Sequence, residues 1–322
     1  MKSAVTKAKE ARPVLQQKDF LTLHALDGSE MMALLDEAVK LKKETKAGVH
    51  KPYLQGKVLG MIFEKASTRT RVSFEVGMQQ LGGNAIFLSK QDIQLGRGES
   101  NADTAKVLSR YVDGLMIRTF GHDIIETYAK EATIPVINGL TDMHHPTQVL
   151  ADLLTIYEYK GKLAGLKLAY LGDGHNNMCH SLIEGAVKTG IDMTIACPAG
   201  YEPDDGIYQT MKQEAEENGS KLTCSENPIE AVTNADIVIT DVWASMGKEV
   251  ESEERHFHEF QVNQTLCQHA NEDYIFLHCL PAHRGEEVTA DIIDGPHSVV
   301  FDEAENRLHV QKALLKILLS NE

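Results

Sequence analysis

No stretch of this 322-residue chain approaches the roughly 18 consecutive apolar residues that a membrane span takes. No Cys-x-x-Cys occurs among the five unevenly placed cysteines, at 179, 197, 224, 267 and 279. That argues against a zinc site and for reduced thiols in a cytoplasmic protein. Basic charge is scarce: 32 Lys and Arg stand against 47 Asp and Glu, a balance of −15. Such a surface repels nucleic acid and anionic membrane, so neither is an expected partner. The N-terminus lacks a signal-peptide core, and its polar, lysine-rich residues 1–18 are expected to fray. There is no internal repeat and no low-complexity tract. What remains is 42% hydrophobic and 25% charged, the make-up of a globular chain. Its length suits two α/β domains of about 150 residues each.

The one dense local exception to the acidic balance is Phe63-Glu-Lys-Ala-Ser-Thr-Arg-Thr-Arg71. An apolar run, 57–63, precedes it and is bounded like a buried strand; 72–81 has helical spacing and stops at Gly82-Gly83. The hydroxyls of Ser67, Thr68 and Thr70 and the guanidinia of Arg69 and Arg71 thus sit where a strand turns into a helix. Unpaired N–H groups and the helix dipole make that turn an anion site, and an arginine fork can grip a phosphate by two bonds. The plainer alternative is an N-capped helix with two solvated arginines.

Along the chain, a helical pattern at 29–46 precedes this unit. Strands are expected at 84–89, 114–119 and 134–138, with helices at 101–111 and 121–131 and a polar, glycine-bearing loop at 90–99. Strand–helix repetition predicts a mostly parallel sheet. A long helix opens near His145-Pro146 and runs through Tyr159, and the domain boundary is expected along it. Further strands are expected near 166–171, 192–197, 221–225, 236–240, 274–279 and 298–301, followed by a helix at 304–320. The fold class is therefore α/β, two doubly wound parallel-sheet domains with the active site in the cleft. The first spans 1–150, with segment 304–322 packing back on it; the second spans 151–303. The charged run 248–255 reads as a solvated loop or helix face.

Ligands of open α/β sheets sit beyond the carboxyl ends of the strands. The polar residues at those ends are Ser67–Arg71, Arg118, His145 with Gln148, Asp173–Asn177, Asp241–Gly247 and His278–Arg284. Singly, each has a structural reading: His145 as a helix start, Cys279 as a small buried residue, Asp241 as a strand-end cap. A dinucleotide fingerprint at Gly172-Asp-Gly-His-Asn-Asn177 is incomplete: its third glycine is Asn177, and Cys197-Pro198 stands where the ribose-binding acid belongs.

Phe63–Glu75 together with His145-Pro-Thr-Gln148 resembles the aspartate/ornithine carbamoyltransferase superfamily. Asp241-Val-Trp-Ala-Ser-Met-Gly247 and His278-Cys-Leu-Pro-Ala-His-Arg-Gly-Glu-Glu287 are similar to its ornithine branch. The likeness covers the chain from about residue 19, with Ala66 standing where many relatives have proline. The resemblance implies a homotrimer, possibly assembling further, with shared active sites, no cofactor and no metal. It implies transfer of a carbamoyl group from carbamoyl phosphate to the side-chain amine of ornithine, giving citrulline for arginine synthesis. Ser67, Thr68, Arg69 and Thr70 would bind the phosphate, and Gln94 would reach into a neighbour's site. Arg118, His145 and Thr70 would hold the carbamoyl oxygen. Gln148, the backbone of Cys279 and Leu280, and Arg307 would complete the carbamoyl pocket. Asn177, Asp241, Ser245 and Met246 would bind the amino-acid end of ornithine, with Cys279 beside the reacting amine. Direct amine attack is expected, and residues 241–255 are expected to fold over both substrates. A sibling enzyme acting on putrescine or an acylated ornithine, and a non-catalytic phosphate- or nucleotide-binding module, are the other readings.

Overall fold

The computed structural model describes residues 15–91, 93–243 and 257–320. Alternation of apolar runs with amphipathic helices produces two parallel sheets. The strands of the first are β1 Val58–Phe63, β2 Asn84–Ser89, β3 Gly114–Arg118 and β4 Val136–Leu140, in the order β2-β1-β3-β4. Those of the second are β5 Lys167–Leu171, β6 Asp192–Ala196, β7 Leu222–Ser225, β8 Ile237–Thr240 and β9 Ile275–Leu277, in the order β7-β6-β5-β8-β9. Every pairing among these strands is parallel. All carboxyl ends within a sheet therefore open on the same side, and the irregular segments that follow them can converge.

The helices are α1 Gly28–Lys46, α2 Thr68–Gln80, α3 Asn101–Leu108, α4 His122–Glu131, α5 Pro146–Lys160, α6 Asn177–Thr189, α7 Asp205–Asn218, α8 Pro228–Val232, α9 Gln264–Cys267, α10 Ala290–Ile293 and α11 Val300–Leu319. A capping box between Asp27 and Glu30 starts α1. Pro146 starts α5, at the position where a missing N–H costs no helix bond. α5 is buried from Pro146 to Ile156 and packs on α11, α6 and α1. One apolar core runs from Met116 under the first sheet, through Leu150 and Leu154 of α5, to Leu182 and Ile195 of the second half. Each fully buried leucine in it contributes about 1.5–3 kcal/mol. Gly185 sets how closely α6 meets α5: a Cβ there would lie 2.7 Å from Val149 Cγ1. A larger residue would displace the helix whose start carries His145.

Three expectations need correction. The strand expected at 298–301 is a single bridge, Phe276 to Ser298, and the chain is helical from Val300. β9 offers only three residues to pair with, and Asp302 and Glu303 suit a first helical turn. β4 begins at Val136, two residues later than expected, because Pro135 cannot donate to the ladder. α2 begins at Thr68, with Ser67 Oγ accepting from Thr70 N–H as its cap, so the arginines lie within its first turn. α11 packs against α1, α2 and α5. Residues 1–14, Ser245, Met246 and the run 248–255 lie outside the described residues.

Candidate active site

The strand ends of both sheets meet around a cavity of about 440 Å³. From the first half come Lys65, Ser67, Arg69 and Thr70 after β1, Arg118 as the last residue of β3, and Asp142, Met143 and His145 after β4. From the second come His175–Met178 and His180, Asp241 and Val242 after β8, and Cys279–Pro281 after β9; Arg307 enters from α11.

At the anion end, Arg69 Nη2 donates to the Leu280 carbonyl at 2.5 Å. Arg307 is fully buried, its Nη1 donating to Gln148 Oε1 at 2.5 Å and its Nη2 to Thr70 Oγ1 at 3.1 Å. Arg118 is also buried, and its Nε has no hydrogen-bond partner among the described residues. Burial and then the neighbouring Arg69 lower the Arg118 guanidinium to about 10. Burial and then Arg118 lower that of Arg307, also to about 10. Both stay cationic at neutral pH. Arginines crowded together out of water, with donors to spare, form a cradle for a polyanion. The same crowding acts on His145. Burial first, then Arg307, Arg118 and Arg69, holds its imidazole well below the ordinary histidine range, so it is neutral. His145 Nδ1 is buried without a partner among the described residues, while its backbone N–H donates to Ser181 Oγ.

Across the cavity, the Cys279 thiol donates to Asp241 Oδ1 at 3.2 Å. Burial, then the Asp241 charge, pushes that thiol well up, so it is no thiolate nucleophile. Asp241 Oδ1 also accepts from the Val242 N–H. Asn177, at the start of α6, donates to the Thr141 carbonyl. Leu280 has φ +55 and a cis bond to Pro281. Asp241, Cys279 and His278 bring ligand-type atoms within 4.8 Å of one another. Both ring nitrogens of His278 are already engaged, however, and the thiol holds its proton, so this is a hydrogen-bonded cluster rather than a chelate.

Ser67, Arg69, Thr70, Arg118, His145, Asn177, Asp241, Cys279, Leu280 and Arg307 thus line one cavity. Gln148 stands behind it, holding Arg307. Thr68 is exposed at the start of α2, and Gln94 is exposed in the 3-10 turn Gln94–Arg97; neither lines the cavity. Arg71 is turned away from it: Nε donates to Glu75 and the guanidinium stacks 3.8 Å from the Phe87 ring centroid. Its helical position, two residues past Arg69, points it elsewhere.

Sequence reasoning missed the buried carboxyls behind the arginines. Gln148 Nε2 donates to both Asp152 Oδ1 and Glu303 Oε1, each at 2.9 Å. Burial raises both carboxyls; the Asp152 charge raises Glu303 further, while the bonds with Gln148 and Glu303 offset part of the rise at Asp152. A signal was present, since Gln148–Asp152 and Glu303–Arg307 are both i,i+4 pairs on helices. Lys65, part of the basic cluster read from the sequence, pairs with Asp142 at 2.5 Å and lies 4.2 Å from the Phe120 ring centroid.

Two family descriptions match the chain in order. Residues 18–158 match the carbamoyl-P binding domain of aspartate/ornithine carbamoyltransferases, and residues 164–318 match their Asp/Orn binding domain. Among curated proteins, the ornithine carbamoyltransferase of Bacillus subtilis is 60% identical over 307 residues, covering 95% of this chain and 95% of that one. The one from Carboxydothermus hydrogenoformans is 59% identical over 304 residues, covering 94% and 97%. Among solved structures, ornithine carbamoyltransferase from Pyrococcus furiosus superposes with a TM-score of 0.92 at 51% identity, covering 97% of this chain and 99% of that one. With both halves matched in order, and with strand ends that converge on an arginine-lined cleft, the chain belongs to the aspartate/ornithine carbamoyltransferase family.

Proposed function

We propose that this chain is an enzyme that transfers the carbamoyl group of carbamoyl phosphate to the side-chain amine of L-ornithine, releasing L-citrulline and phosphate. Residues 1–150 form the carbamoyl-phosphate domain, joined by 304–322, and residues 151–303 the ornithine domain. The observation that carries the reading is one cavity with two opposed ends. Buried Arg118 and a neutral His145, whose Nε and Nδ1 have no partner among the described residues, share it with the Asp241–Cys279 pair.

Ser67, Thr68, Arg69 and Thr70 take the phosphate, and Gln94 of a neighbouring chain in a homotrimer reaches the same anion. Gln148, Arg307 and the backbone at Cys279 and Leu280 hold the carbamoyl group. Asn177, Asp241, Ser245 and Met246 hold the amino-acid end of ornithine. The substrate amine resembles lysine, with an ordinary pKa of about 10.4, and must first lose a proton. Its lone pair then forms the C–N bond while the carbonyl becomes an oxyanion. Arg118 and a neutral His145 stabilise that oxyanion with donors already in place. The oxyanion collapses, the bond from the carbamoyl carbon to the bridging phosphate oxygen breaks, phosphate leaves with the electron pair, and a phosphate oxygen accepts the amine proton. Two substrates held side by side supply much of the remaining rate. No covalent enzyme intermediate is involved, because the Cys279 thiol keeps its proton. The matched relatives support ornithine as the acceptor, and the absence of a long apolar helix among the described residues agrees with a cytoplasmic enzyme of arginine synthesis.

The test is a colorimetric assay with carbamoyl phosphate and ornithine, putrescine, acetylornithine, lysine or aspartate as acceptor. Citrulline and phosphate should appear in equal amounts with ornithine alone. Preference for another acceptor would overturn the ornithine assignment, and phosphate retention without any turnover would favour a binding module.

A further inference from the structure

Glu287 lies outside the cavity lining and has no part in the reaction as written above. Its side chain is nevertheless fully buried. Oε1 accepts from His278 Nε2 at 3.1 Å and from the His283 backbone N–H at 2.6 Å. The other side of the His278 ring is occupied as well: Nδ1 lies 2.9 Å from the Leu280 backbone nitrogen. That nitrogen carries a hydrogen and can only donate, so Nδ1 must be the unprotonated ring nitrogen. The ring proton is then on Nε2, where it points at Glu287. A third bond fixes the residue's backbone, His278 N–H donating to Glu303 Oε2 at 2.9 Å.

This chain of bonds ends where the cavity begins. Leu280 sits at φ +55, a left-handed conformation that a branched side chain adopts only when its surroundings hold it there. The imidazole acceptor for its N–H does that holding. Its carbonyl consequently faces Arg69 at 2.5 Å. Burial pushes the Glu287 carboxyl up, but the bonds from His278 and the His283 N–H outweigh it, and the group stays a carboxylate.

We propose that Glu287 is a positioning residue for the carbamoyl pocket: by fixing the Nε2–H tautomer of His278, it sets the Leu280 peptide against Arg69. This rests on the carbamoyl-transfer reading above for its kinetic consequence, though not for its geometry. The arrangement resembles the way a carboxylate fixes the tautomer of a histidine that ligates a metal, with a backbone N–H in place of the ion.

The experiment compares Glu287→Ala and Glu287→Gln with wild type in the full chain. Glutamine keeps a carbonyl oxygen that can accept from both His278 and His283; alanine removes it. Long-range ¹H–¹⁵N spectra of the ligand-free protein, assigned with a His278 variant, read the tautomer. Wild type and Glu287→Gln should show Nε2–H, and Glu287→Ala a mixture. In Glu287→Ala, kcat/KM for carbamoyl phosphate should fall roughly 10²-fold, the scale of a misplacement of about 1 Å, and the conservative variant should recover most of it. A purely structural role would lower the melting temperature of both variants and leave the tautomer alone. An Nδ1–H or doubly protonated His278 in wild type would overturn the proposal. So would wild-type kinetics in folded Glu287→Ala, or equal impairment of both variants with an unchanged His278 signal. Should Glu287→Ala fail to fold, the wild-type tautomer and the glutamine variant still decide. Wild-type protein that makes no citrulline would refute the reaction while leaving the tautomer test standing.

Discussion

Arg69 and Leu280 close the cleft on each other, the guanidinium of one half donating to the backbone carbonyl of the other across 211 positions of sequence. In the proposed reaction a phosphate would take that guanidinium in a two-bond grip, and the carbonyl it leaves would be free to accept from a carbamoyl amino group. One ligand therefore replaces both ends of the contact.

Arg69→Lys keeps the charge and loses the fork. Carbamoyl phosphate binding should weaken by about 1.5–3 kcal/mol, the worth of a charge-assisted bond, with turnover falling alongside. Isothermal titration and steady-state kinetics check this, and wild-type constants would exclude Arg69 from phosphate binding.

Asp241 accepts from the Cys279 thiol and lines the cavity at what is proposed as its amine end. Asp241→Asn should raise KM for ornithine and leave carbamoyl phosphate affinity almost unchanged. It should also speed alkylation of Cys279 by iodoacetamide at pH 8, because the carboxylate is one of the causes that hold the thiol up, after burial. Equal loss of affinity for both substrates would place Asp241 elsewhere in the mechanism.

Glu184 of α6 gives a prediction about stability. Burial raises its carboxyl to about 7 from 4.5. Between those values the folded chain binds the proton that the unfolded chain has released, so stability falls as pH rises through this window. The ceiling on that loss is about 3 kcal/mol. Glu184 Oε2 accepts from the N–H groups of Leu23 and His24, and Oε1 lies 3.6 Å from His144 Nδ1. His144 is neutral, held down to about 3 by burial and then His122, and its Nδ1 is buried without a hydrogen bond among the described residues. Glu184→Gln keeps the acceptor and brings a donor to that nitrogen. Its melting temperature should exceed that of wild type at pH 8 and approach it at pH 5. A constant difference across the range would refute the titration of Glu184.

Gln94 is exposed and is not among the residues lining the arginine-bearing cavity of its own chain. Mixing Gln94→Ala and Arg69→Ala chains after dissociation should restore activity, since some mixed interfaces regain one intact site. Mixed trimers demonstrated by mass spectrometry yet still inactive would refute a shared site.

Much of this was legible in the sequence because parallel sheets announce themselves twice. Buried strands such as Val58–Phe63 are continuous apolar runs, and the residues after them are polar with no hydrophobic reason to be there. Ser67, Arg118, His145, Asp241 and Cys279 were found by that reasoning. Arg71 was misread because a motif gives residue types and not the 100° between successive helix positions. The strand expected at 298–301 failed because β-branched Val299 and Val300 are as well accommodated at a buried helix start. Asp152, Glu303 and Glu287 stayed hidden for another reason. Asp152 and Glu287 have partners four residues away, but only the fold shows that they are buried, and Glu303 joins Gln148 from 155 residues away.

α11 carries Arg307, whose bond to Thr70 spans 237 positions. During synthesis on the ribosome, the phosphate loop emerges and can fold long before this arginine has been translated. A nascent chain can thus possess Ser67, Arg69, Thr70 and Arg118 and still lack the cation that locks Gln148 and Thr70 together. The Gln148–Arg307–Thr70 link can therefore form only after the whole second sheet has been translated.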